Sequence, residues 1–135
     1  MAKISKNMRI TILVSTIAFL IFAFLYLVTT DQYLNTMGWP FNDPYYPRAF
    51  GINLLILGVF LMVSFFRNEW IQARILIEIV LVWCSLILTA NIIEISVLSL
   101  PVGVIVLTLN NTIFLMVLVI AMLFFYLKEL KMQGN

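Results

Sequence analysis

The sequence contains no histidine, one cysteine (Cys84), and only 10% charged residues. Each shortage closes off a class of chemistry. A single cysteine forms no intramolecular disulfide and no dithiol redox pair, so a thiol oxidoreductase centre is excluded. Without histidine there is no Ser-His nucleophilic pair, no His-ligated haem, and no zinc or copper site of ordinary ligand type. The seven methionines are scattered, without the Met-x-x-Met spacing of copper handling. These absences predict no metal, no cofactor and no enzymatic role, because carboxylates and amides alone are poor catalytic material. A net charge of +2 gives no reason to expect a nucleic-acid partner.

What the chain has in excess is apolar surface. It is 64% hydrophobic, with a mean hydropathy of +1.11. A soluble domain is about a quarter charged, and a soluble core of this length cannot hide so much apolar area. Lipid is therefore the expected solvent for much of it. The sequence predicts an all-α polytopic membrane protein, a single domain folded as an antiparallel bundle of four transmembrane helices at about 8–28, 49–66, 71–97 and 104–127. The basic start followed by an apolar run also opens a signal peptide. The run from Ile10 to Val28 is longer than a signal core, however, and no small-x-small site follows it, so a retained helix is expected.

An ordered loop is expected over 31–48. It holds Gly38-Trp39-Pro40 and Asp43-Pro44-Tyr45-Tyr46-Pro47. Three prolines and a glycine exclude a regular helix through it, and its aromatics are of the kind that settle at headgroup level. Asp43 is the expected N-cap of the second helix, with Pro44 at its first position. The short connections at 67–70 and 99–103 make the remaining helices hairpins. Of the eight Lys and Arg residues, Lys3, Lys6, Arg9, Arg67, Arg74, Lys128 and Lys131 then fall on one side and Arg48 alone on the other. This asymmetry predicts cytoplasmic termini and an extracytoplasmic loop.

The third helix is the only apolar run that carries charge. A carboxylate at the centre of such a helix costs roughly 2.5–3.5 kcal/mol. Arg74 and Glu78 are four apart and predict an ion pair near the cytoplasmic side. Asn91 and Glu94 share another face, about 160° around the helix from Glu78. They lie in the outer half with Asn53 of the second helix and Asn110 and Asn111 of the fourth. An outward polar cluster of Asn53, Asn91, Glu94, Asn110 and Asn111, rimmed by Arg48, is the candidate site. Its blander alternative is interhelical hydrogen-bond glue. Gly51 and Gly58, seven apart, mark a face that another helix can approach closely.

In length and four-helix layout, with Asp43-Pro44 followed by Arg48 and Gly51 entering the second helix, the chain resembles small membrane families of the DoxX-like kind. The resemblance implies the layout and no activity. Small multidrug transporters share the size, but they resemble a pattern with an essential carboxylate in the first helix, which this chain lacks. The function expected first is that of a structural or accessory subunit of a homo-oligomer or larger membrane complex. The alternatives are a small oligomeric transporter or channel using Glu78 or Glu94, and binding of a lipid or small apolar ligand under the loop of Trp39, Asp43, Pro44, Tyr45 and Tyr46. The partners expected are the lipid bilayer and other membrane subunits.

Overall fold

A computed structural model of the chain describes residues 3–40, 45–67 and 69–133. The described residues form five helices and no strand: α1 (Lys6–Leu27), α2 (Thr30–Thr36), α3 (Tyr45–Phe66), α4 (Trp70–Val97) and α5 (Val102–Gln133). The four long ones are apolar and long enough to cross a membrane by length and composition. The expected cap pair Asp43-Pro44 lies outside the described residues.

Local sequence explains most boundaries. Ser5 caps α1 by accepting from the Met8 amide at 3.3 Å. α3 carries Pro47 in its first turn, where a missing N–H costs nothing. Pro101 immediately precedes α5, and its carbonyl accepts from Val104 and Ile105. Inside the helices, the hydroxyls of Thr11, Thr16, Ser64, Ser85, Thr89, Ser96 and Thr112 each donate to the carbonyl four residues back. Each hydroxyl is thus satisfied on its own helix.

Two expectations need correction. The predicted loop 31–48 is helical in its first part, since α2 occupies Thr30–Thr36, and in its last, since α3 begins at Tyr45 rather than at 49. Gly38, at φ +71°, stops α2 rather than forbidding it. The Trp39 amide donates to the Leu34 carbonyl and the Gly38 amide to that of Asn35, the reciprocal pair that closes a helix on a left-handed glycine. The fourth helix also runs past the predicted stop at 127 to Gln133. Its last turns have work to do, because Glu129 is buried and Leu130 packs against the core.

The long helices touch in the order α1, α3, α4, α5 and back to α1. Each presents an interior stripe at alternating spacings of three and four. On α4 the stripe is Trp70, Ala73, Ile77, Val80, Leu81 and Cys84; on α3 it includes Gly51, Leu54, Leu57, Gly58, Leu61 and Ser64. The exterior is equally apolar, with Phe66, Ile71, Val97 and Val102 more than two-thirds exposed. The glycine face predicted on the second helix is used within the chain, against α1. A Cβ built on Gly51 would lie 2.7 Å from Tyr26 Cβ, and one on Gly58 3.1 Å from Leu20 Cδ2.

Gly51→Ala is expected to destabilise the bundle by about 1–3 kcal/mol, because the atom met is the root of a buried side chain. Gly58→Ala should cost clearly less, since a leucine tip can move aside. Thermal unfolding of the two variants in detergent checks the ranking.

Candidate functional site

Polar side chains collect at the two ends of the bundle. One end holds Tyr26, Tyr33, Asn91, Asn110 and Asn111, and is called here the amide end. The other holds the segment 3–5, Glu69, Glu78, Tyr126, Glu129 and Gln133.

At the amide end, Tyr26 of α1 is wholly buried, and its hydroxyl donates to Asn111 Oδ1 of α5 at 2.6 Å. Its ring meets Tyr33 and Phe50 edge to face, at 5.0 and 5.3 Å between centroids. Asn110 donates to the Tyr33 hydroxyl at 3.1 Å. The adjacent asparagines thus point to different partners, one on α1 and one on α2.

Beside this network lies a cavity of about 330 Å³ between the facing ends of α1, α3, α4 and α5. Asn91, Glu94, Asn111 and Thr108 supply its polar wall, and Phe50, Leu98, Val104 and Leu107 much of its apolar one; Trp39 and Tyr46 also border it. Asn91 Nδ2 is shielded from solvent and has no hydrogen-bond partner among the described residues. The volume sits at the low end of small-molecule pockets, and a mostly apolar wall with a few placed polar groups is their usual character. The segment carrying Trp39 is held close: a Cβ on Gly103 would fall 1.6 Å from the Gly38 carbonyl oxygen. Only glycine at 103 permits that approach.

The structure therefore brings together part of the predicted outward cluster. Asn91, Glu94 and Asn111 border one cavity. Asn53 does not join them; its amide donates to the Ala49 carbonyl of its own helix at 3.0 Å. Asn110 is held by Tyr33, and Arg48 is exposed on the first turns of α3. Tyr45 and Tyr46 are also exposed, and Tyr46 alone of the two borders the cavity. Tyr26, the residue that ties this end together, has a legible signal only in its period. It lies three after Ala23 and seven after Phe19 on the buried stripe of α1.

At the other end, the expected ion pair is present, with Arg74 Nε 2.7 Å from Glu78 Oε1. The Tyr126 hydroxyl also donates to the same carboxylate oxygen, which ties α5 to α4. A carboxyl not anticipated from sequence is more deeply placed. Glu129 is fully buried, accepts from the Ser5 amide at 3.0 Å and from Gln133 Nε2 at 2.9 Å. Gln133 in turn donates to the Lys3 carbonyl, and Lys3 pairs with Glu69 in an isolated antiparallel bridge. The N-terminal segment is thus strapped across the bundle end. The signal was there: Glu129 follows Met122 by seven and Tyr126 by three, on the buried face of α5. Its basic neighbours Lys128 and Lys131 disguise it as part of a solvated tail.

No family model matches the chain, and no curated protein and no solved structure matches it either.

Glu129→Ala is expected to free the Ser5 amide. A hydrogen bond of ordinary net worth, ~1 kcal/mol, corresponds to about fivefold faster exchange. Hydrogen–deuterium exchange should show that increase at Ser5, just before α1, and none in α3; equal exchange in both proteins would mean that the strap is held otherwise.

Proposed function

We propose that this chain is an integral membrane protein that binds a small amphipathic molecule in the amide-end cavity, beneath the segment that carries Trp39 and Tyr46. The observation that carries the reading is the cavity itself, apolar in most of its wall and bordered by Asn91, whose buried amide donor has no partner among the described residues. A buried donor without a partner costs about 1–3 kcal/mol, and a ligand oxygen offsets that cost on binding. Glu94 at the rim gives the ligand a second polar contact of opposite sense, suited to a hydroxyl or an amine.

In this reading the four long helices cross the bilayer with alternating sense as an antiparallel bundle, and both termini are cytoplasmic. The alternation is supported by contacts that run in opposite directions along neighbours: Tyr26 meets Gly51 while Phe19 and Leu20 meet Gly58. The cytoplasmic assignment is supported by the cations, seven of which belong to the end with the termini and only Arg48 to the other. The cavity then faces outward, at the depth where Trp and Tyr side chains settle.

In a Trp70→Phe/Trp83→Phe background, Trp39 is the one remaining tryptophan. A brominated fatty alcohol added to that protein in detergent should quench Trp39 saturably, at about one probe per chain. Asn91→Leu should weaken the probe by about fivefold, the worth of ~1 kcal/mol. Quenching that never saturates, and is the same in both proteins, would refute the pocket.

A second reading, a subunit that packs against another membrane chain, is favoured by α4. Its buried residues end at Cys84, yet the exposed remainder carries Thr89, Glu94 and Ser96. The hydroxyls of Thr89 and Ser96 close on their own helix, so Glu94, an exposed carboxylate, is the one of the three that calls for a neighbour. With Ile93→Cys in a Cys84→Ser background, crosslinking in native membranes should then give a discrete higher band; a monomer band alone would remove this reading.

A further inference from the structure

A different part of the molecule points to a second ligand. Where α1 and α5 run side by side, their seam is incompletely filled. A groove of about 420 Å³ is bounded by Ile10, Val14, Val117, Ala121 and Phe125. At the end that holds residues 3–5, a smaller hollow of about 190 Å³ lies beside it, bordered by Ser5, Lys6, Lys128 and Met132. Asn7 and Phe125 border both, so the groove and the hollow adjoin. We propose that together they bind one anionic phospholipid, an acyl chain lying in the seam and the phosphate between Lys6 and Lys128.

Length, charge and donors agree with that occupant. From Lys6 to Val14 on α1, or from Phe125 to Val117 on α5, the groove runs roughly 12 Å along the helix axis. That is close to one leaflet of a hydrocarbon core about 30 Å thick. The mouth is cationic. Lys6 and Lys128 are exposed, and neither is paired with a carboxylate among the described residues. Glu129, next in sequence, is turned inward onto Ser5 and Gln133 and does not border the hollow. The Ser5 oxygen accepts from Met8, which leaves its hydroxyl proton to donate. Basic hollows between membrane helices on the cytoplasmic side are the usual seats of anionic headgroups, each Lys adding appreciably to affinity. A soluble phosphate would use the mouth and leave the apolar groove empty, so the groove argues for lipid. A strap that orders residues 3–5 also orders the mouth, which gives the buried Glu129 a role in building the site.

The proposal rests on the chain spanning a membrane and is independent of the amide-end cavity. The test first confirms that the protein partitions with membranes. Protein in mild detergent is then titrated with phosphatidylglycerol and with phosphatidylcholine of the same chains, and bound lipid is counted by native mass spectrometry. Wild type should retain phosphatidylglycerol at least about tenfold more tightly. Lys6→Gln/Lys128→Gln should lose that preference, whereas Lys6→Arg/Lys128→Arg keeps it, and excess inorganic phosphate should displace little lipid. Ala121→Phe, which fills the groove, should weaken both lipids alike. Equal retention of the two lipids by wild type, or an unchanged preference in the Gln variant, overturns the proposal. Failure to partition with membranes would overturn the membrane reading as well, and is told apart by that first step.

Discussion

The bundle depends on how closely α1 and α3 approach at Gly51. Because no side chain stands there, the Tyr26 side chain can sit against the α3 backbone. From that position its ring reaches Tyr33 and Phe50, and its hydroxyl reaches Asn111 across the interior. One residue thereby links α1 to α2, α3 and α5. The amide-end cavity lies against the same side chain, so its wall inherits this geometry. A methyl group at position 51 would disturb helix packing and the cavity together.

The second organising fact is that the exterior is as apolar as the interior. Burial of apolar surface from water drives the packing of a soluble domain, whereas helices surrounded by apolar material gain mainly from close fit and hydrogen bonds. The interior stripes accordingly carry the small and polar residues: Ser15 and Thr16 on α1, Gly51, Gly58 and Ser64 on α3, Thr108 and Asn111 on α5. Most of the hydroxyls close on their own helix. The few polar groups that bridge helices, Tyr26 with Asn111, Tyr33 with Asn110 and Tyr126 with Glu78, stand near opposite ends and tie α5 to α1, α2 and α4.

The two proposed binding regions follow from this division. At the amide end, α4 has no fully buried residue after Cys84, and the space beside it is a cavity bordered by an amide without a partner among the described residues. At the terminal end, the Glu129 strap holds residues 3–5 against α5 and brings Lys6 beside Lys128 at the head of an apolar seam. The first suits a ligand with an acceptor oxygen and an apolar body. The second suits a negative headgroup with a chain.

The sequence by itself determined the all-helical class, the number of long apolar helices and much of their extent. Runs of apolar residues with few charges permit little else, and breaks such as Pro101 and the polar turn around Arg67 are local. It also determined the Arg74–Glu78 pair, since four-residue spacing on one helix is a local property. Tertiary structure alone decided which asparagines share a site. Asn53 and Asn111 read alike in sequence, yet one bonds its own helix and the other is buried against Tyr26. The reason is that an apolar exterior erases the contrast by which a soluble helix announces its inner face. With both faces apolar, helix rotation is set by small residues and long-range hydrogen bonds, which join positions as far apart as Ser5 and Glu129.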